Sequence, residues 1–319
     1  MGSRCNIDNS LYYLEVPDDI SDVVAHLFEH AFILDFSDYA TKSGHHPAII
    51  ASLHGETFRH VIFIYDETPT AIGAQLLSSF INQNPTPSTR SISRAIKQIT
   101  SECRTTYSFN RDELEKQISA LSTIGFQPIS ELPKLKLFRQ EQPSSLPHDK
   151  AVAKHTPLAT KVVTVNYIVD RCSISDRVVF SNIFPVLTRM TTDALADCGA
   201  YYSCSVLENE QINGHDTIIG GVDYYVPKAY DIDKVHDSIN NLLDTDISLF
   251  TDDLHAHAQN TYTPSGLIYD YASIGMLASW QLLRGLLTPD NFVTIWNRIQ
   301  IYSVDESPDN RPPTNSSAR

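Results

Sequence analysis

The sequence predicts an α+β protein made of two similar units in tandem, each a mainly antiparallel sheet packed with helices. Three observations predict it. Short runs of strand character are interleaved with longer segments of helical period in both halves of the 319-residue chain. The order of these runs does not follow the βαβ alternation of a parallel sheet. A stretch rich in Pro, Ser and charge, "RQEQPSSLPHDKAVAKHTPL", separates the halves. The expected units are residues 1–140 and 161–303, with a linker at 141–160 and a disordered tail at 304–319.

Each element has a local reason. "SLYYLEV" reads as a strand and "PDD" as the turn after it. Ser21 is a suitable N-cap for a helix that runs through "VVAHLFEHAFI", with Asp22 in its first turn. Apolar residues occupy most faces of that helix, so it should be well buried. "HPAIIASL" and "RHVIFIYD" read as strands, and "PTAIGAQLLSSFINQ", "TRSISRAIKQITSECRTTY" and "RDELEKQISALSTIG" as helices. "LPKLKLF" is a short strand closing the first half. The second half opens with the strand "KVVTVNYIVD" and the long helix "ISDRVVFSNIFPVLTRMTTDALADCG". The strands "AYYSCSVLE" and "DTIIGGVDYYV" come next. Helices are expected at "DIDKVHDSINNLL", "SLFTDDLHAHAQ", "LIYDYASIGMLASWQLLRGLL" and "PDNFVTIWNRI".

Composition narrows the function. Hydrophobic residues make up 42% and charged residues 19%, as in a soluble globular protein. The net charge is −14, and Lys and Arg form no cluster, which argues against nucleic acid and against an anionic membrane surface. No segment approaches the roughly 18 uninterrupted apolar residues of a membrane span, and "MGSRCNIDNSLYYLEV" lacks the apolar core of a signal peptide. The five cysteines are an odd number without CxxC spacing, so they read as reduced thiols in a cytoplasmic protein.

One pentapeptide carries chemistry. His26 and His30 are four residues apart on the expected first helix, so both imidazoles can reach one Zn2+ ion at about 2.0–2.1 Å. Glu29 borders the same face and can take a proton from a water activated by the metal. This is the H-x-x-E-H signature, the reverse of H-E-x-x-H. A catalytic zinc needs a third protein ligand and an open position. Glu102, near the end of the helix "RSISRAIKQITSEC", is the candidate, and the glutamates between it and His30 are Glu56 and Glu67. Cys103 reads as a core cysteine on another side of that helix. His45, His46, His54 and His60 read as surface or packing residues, and His255 and His257 are spaced poorly for chelation. There is no G-x-S-x-G elbow to support a serine hydrolase.

His26, Glu29, His30 and Glu102 at this spacing resemble the pitrilysin-like zinc peptidases, the family of the mitochondrial processing peptidase. That resemblance implies a processing-peptidase-like metallohydrolase fold. It implies Zn2+ as cofactor, held by His26, His30 and Glu102, with Glu29 as general base in peptide-bond hydrolysis. "HPAIIASLHGETFRHVIFIY" resembles the strand pair to which the family's substrates add as an extra strand. Ile49, Ile50, Ala51, Ser52 and Leu53 would then bind substrate main chain. "GAYYSCSV" resembles a strand whose tyrosine holds substrate, here Tyr202.

Departures from the family are informative. Ala95 stands where relatives carry a glutamate seven residues before the third ligand. Leu195 stands where an arginine should precede Tyr202. In two-chain members the arginine and tyrosine come from the other subunit. The resemblance therefore implies a catalytic chain paired with a paralogous pitrilysin-like subunit that supplies them, with a second copy of this chain as the other option. The substrate would be a peptide, such as a leader or precursor peptide. The rival reading is a non-catalytic scaffolding subunit of the same fold, which zinc content would separate from the enzyme.

Overall fold

In the computed structural model the chain is described at residues 11–17, 19–45, 49–54, 61–66, 71–128, 150–247 and 285–309. The strand expected at "LPKLKLF" and the helix at "SLFTDDLHAHAQ" lie outside these residues. So does all but the end of the helix at "LIYDYASIGMLASWQLLRGLL".

The first half runs β1 (Leu11–Glu15), α1 (Asp22–Lys42), β2 (Ile49–His54), β3 (Val61–Asp66), α2 (Ala71–Ile81), α3 (Thr89–Cys103), β4 (Thr105–Phe109), α4 (Arg111–Ile124) and β5 (Gln127–Pro128). Its sheet has the order β2-β3-β1-β5, with every pair antiparallel. The second half runs β6 (Val152–Pro157), β7 (Thr160–Val169), α5 (Ile174–Ala194), a 3-10 turn (Ala196–Cys198), β8 (Tyr201–Ile212), β9 (His215–Pro227), α6 (Ile232–Leu243), α7 (Pro289–Trp296) and β10 (Gln300–Pro308). Its sheet has the order β8-β9-β7-β10, again antiparallel throughout. The protein is thus α+β.

The two sheets share one path. In each, an inner strand leads into a helix of 21 residues and then to an edge strand. That edge strand pairs with the next strand, which lies beside the first, and a last strand pairs on the first strand's other side. Each half has its own core. The first gathers Val24, Leu27, Phe28, Phe32 and Phe36 of α1 with Ile62 and Ile64 of β3 and Ile99 of α3. The second gathers alternate residues of β7, from Val163 to Val169, with Phe180, Ile183 and Leu187 of α5 and Trp296 of α7.

Local chemistry explains the boundaries. Asn110 caps α4 through its side chain, and Ser173 and Asp176 form a capping box at the start of α5. Ser21 occupies the N-cap of α1, and its backbone N–H donates to Gln117 Oε1 of α4 at 3.0 Å. The β8–β9 hairpin turns on Asn213 and Gly214, with φ of 52° and 78°.

Three sequence expectations need correction. "TTY" was expected to extend α3, but Arg104 takes the left-handed conformation at φ 50° and ends the helix there. The β-branched and aromatic run Thr105–Phe109 then pairs with Val152–Pro157, inside the expected linker. Residues 304–308, expected in the disordered tail, complete β10 against β7. Polar composition suggested disorder there, but main-chain pairing to a buried strand orders them.

The halves meet along α3. Arg94, 7% exposed, donates from Nη2 to the Asp193 carbonyl at 2.9 Å, and its Nε lies 3.1 Å from Asp197 Oδ1. Ser37 Oγ of α1 donates to Asp193 Oδ2 at 2.5 Å. Gly199, at φ +73°, sits so close that a Cβ there would lie 2.7 Å from Lys97 Cβ and 2.9 Å from the Lys97 carbonyl oxygen. Only glycine combines that backbone conformation with that approach.

Candidate metal centre

One helical turn of α1 separates His26 from His30, and their rings meet edge to face with centroids 4.9 Å apart. Both Nε2 atoms turn toward one point and are 3.2 Å apart. Glu102, in the last turn of α3, brings Oε2 to 3.1 Å from His26 Nε2 and 3.2 Å from His30 Nε2. Three donor atoms therefore form a nearly equilateral triangle. Ligands held at zinc bond lengths around a tetrahedral ion are about 3.3–3.4 Å apart, so this donor set fits Zn2+ with a fourth position open. The side chains keep 22%, 15% and 15% exposure, so the triangle is shielded but reachable from solvent.

The electrostatics call for a cation at this point. Burial opposes charge on His26, but hydrogen bonds with Cys103 and Glu102 and the negative charges of Glu102 and Glu29 hold its pKa well above the ordinary imidazole value. Burial would raise the Glu102 carboxyl, yet His26 and His30 keep it far below the usual carboxylate range. Glu102 also lies where the macrodipole of α3 disfavours an anion. A carboxylate in that place gains from a positive partner.

Supporting residues orient the donors. Gln98, one turn before Glu102 and buried, brings Oε1 to 3.1 Å from His30 Nδ1. An amide oxygen only accepts, so Nδ1 carries the proton and the Nε2 lone pair points at the triangle. Asp35, five residues after His30 on α1, accepts from Ser88 N at 2.6 Å, Ser88 Oγ at 2.8 Å and Ser91 Oγ at 2.6 Å. It thereby anchors the start of α3 to the helix that carries the two histidines. Glu29 is buried at 9% exposure, and its charge acts on both His26 and Tyr201, so its carboxylate lies in the neighbourhood of the centre.

Tyr201, the first residue of β8, enters from the second half. Its ring centroid is 6.1 Å from that of His30, and its hydroxyl lies close enough to Glu102 to interact with the carboxylate. Burial, with the charge of Glu102 and Glu29, pushes its pKa up, so the phenol keeps its proton and donates.

The structure therefore brings together His26, His30 and Glu102, with Glu29 beside them. Ile49, Ile50, Ala51, Ser52 and Leu53 lie in β2, at the edge of the first sheet, paired with Asp66, Tyr65, Ile64, Phe63 and Ile62 of β3. Tyr202 is 36% exposed, its hydroxyl donating to Ser205 Oγ at 3.3 Å and its ring 6.5 Å from that of Tyr224. Successive strand residues point to opposite faces, so Tyr201, not its neighbour, meets the triangle. Ala95 and Leu195 are fully buried in the two cores. Cys103, expected in the core, is a half-buried thiol that interacts with His26 and Tyr107 instead. Sequence reasoning missed Gln98 and Tyr201. The one-turn spacing of Gln98 from Glu102 was a readable signal, whereas nothing local marks Tyr201.

No family model and no curated protein matches the sequence. Among solved structures, the chain is similar to a protease from Helicobacter pylori, with TM-score 0.29, 10% identity and 92% of each chain covered. It is similar to the periplasmic protease PqqL from Escherichia coli, with TM-score 0.32 and 10% identity over 91% of this chain and 41% of that one. It is also similar to pitrilysin, with TM-score 0.27 and 11% identity over 92% of this chain and 42% of that one. The chain thus spans less than half the length of the latter two.

Proposed function

We propose that this chain is a zinc-dependent endopeptidase of the H-x-x-E-H type, in which His26, His30 and Glu102 hold the metal and Glu29 is the general base. The convergence of two imidazole nitrogens and a carboxylate oxygen within 3.1–3.2 Å of one another carries this reading. Bound there, Zn2+ would act as a Lewis acid toward a peptide carbonyl and acidify a water molecule. Glu29 accepts the proton of the attacking water and passes it to the leaving amine. Gln98 keeps His30 in the tautomer that presents Nε2. An extended peptide adds to β2 through main-chain hydrogen bonds at Ile49–Leu53, a role supported by the edge position of that strand.

The same reading includes a second subunit. Leu195, where the resemblance would place an arginine, is fully buried in the second core. A paralogous pitrilysin-like chain would bring the arginine and tyrosine that hold the peptide, and Tyr202 would remain available at the exposed start of β8.

Zinc content and hydrolysis, measured on the same preparations, test the proposal. The wild-type chain should bind one zinc per site. Glu29→Gln should retain that zinc while peptide hydrolysis falls by about 10²–10⁴-fold. Hydrolysis at the wild-type rate by Glu29→Gln would remove Glu29 from the mechanism. A wild-type chain that takes up no zinc favours the scaffolding reading.

A further inference from the structure

Glu102 is held by more than its two histidine neighbours. It ends a helix whose dipole does not retain it, and a glutamate side chain has three rotatable bonds to fix before its oxygen can serve as a ligand. The second half reaches this carboxylate. Gly199 closes on the backbone of α3 at Lys97, within one turn and a half of Glu102. Two residues later β8 begins, and its first side chain is Tyr201, tilted 42° to the His30 ring at 6.1 Å and within interaction distance of Glu102. Strand alternation sends Tyr202 the other way, so the contact belongs to one side chain.

We infer that Tyr201 is a positioning residue for Glu102: its hydroxyl holds the carboxylate turned toward the two imidazoles, so that full metal affinity requires the second half to be docked on α3. The inference rests on the metal-site reading above and extends it. The histidines of the centre come from one helix and are preset by its geometry. The third ligand comes from another helix, and its orientation is completed by a strand of the other half. Metal affinity is thereby coupled to the junction between the halves.

Tyr201→Phe in the full-length chain tests it, because only the hydroxyl is removed and the ring packing against His30 stays. Zn2+ affinity is measured by competition with a chromogenic chelator, and the ligand field by the visible spectrum of the Co2+-loaded protein. Tyr201→Phe should lower Zn2+ affinity about 10–100-fold and alter the Co2+ bands. The unfolding midpoint of the metal-free protein should stay close to wild type. Tyr302→Phe, exposed on β10, should match wild type in each measurement. Equal Zn2+ affinity in Tyr201→Phe and wild type overturns the inference while leaving the metal site standing. A lower unfolding midpoint with unchanged Co2+ bands assigns Tyr201 a purely structural role and also overturns it. A wild-type chain that binds neither ion overturns the site reading itself.

Discussion

His30 depends on a neighbour that lies outside the ligand triangle. His30 can offer Nε2 only while its proton sits on Nδ1, and Gln98 Oε1 at 3.1 Å is the acceptor that keeps it there. Gln98→Ala removes that acceptor and frees the ring to change tautomer or rotate. Zn2+ affinity should fall about 10-fold or more, read by chelator competition, while Gln98→Glu, which still accepts at this position, should recover most of it. The residue-scale chemistry was partly legible in the sequence. His26, Glu29 and His30 declare themselves because helix geometry converts a spacing of four into one shared face. Glu102 was reachable by the same logic only after its helix had been recognised. Gln98 lay on the readable face of that helix, but an amide has no ionisation to draw attention to it.

At the scale of elements, the centre is two helices held in register. Asp35 on α1 accepts three hydrogen bonds from Ser88 and Ser91 and so fixes where α3 begins. Since α3 is rigid over its 15 residues, fixing its start also fixes where Glu102 arrives. Asp35→Ala leaves those donors without their shared acceptor and should cost about 1–3 kcal/mol of stability, measured by urea unfolding of the metal-free protein. It should also weaken Zn2+ binding, although Asp35 itself is no ligand and stands five residues beyond His30 along α1. Helices were the legible elements, through periodicity and capping residues such as Asn110 and Ser173. β4 and β6 were not, because their main reason to be strands is each other. Thr105–Phe109 follows a helix without a break in pattern, and Val152–Pro157 has a burial that is almost entirely exposed. Pairing across the chain supplies what neither run encodes locally.

On the scale of the whole molecule, the junction between the halves is polar and titratable. Asp193 is half-buried there, facing Ser37 and Asp38 of α1, Arg94 of α3 and Arg189 of α5. Burial, with the charge of Asp38, raises its pKa despite the opposing effect of Ser37, Arg189 and Arg94. A carboxyl raised on folding contributes stability that is full below its unfolded pKa and is lost as pH rises through the folded value. Asp193→Asn cannot ionise, so its stability relative to wild type should rise over that interval. Urea midpoints of both proteins between about pH 4 and pH 7 measure the difference; a constant difference would exclude Asp193 as the source. The α+β class, the strand–helix plan of both halves and the three residues His26, Glu29 and His30 were written in local pattern, since periodicity and one-turn spacing need no distant partner. The closing of the triangle by Glu102, the β4–β6 pairing and the arrival of Tyr201 were decided only in three dimensions. Each of them joins residues that are remote along the chain, and such contacts exist only once the helices and sheets have packed.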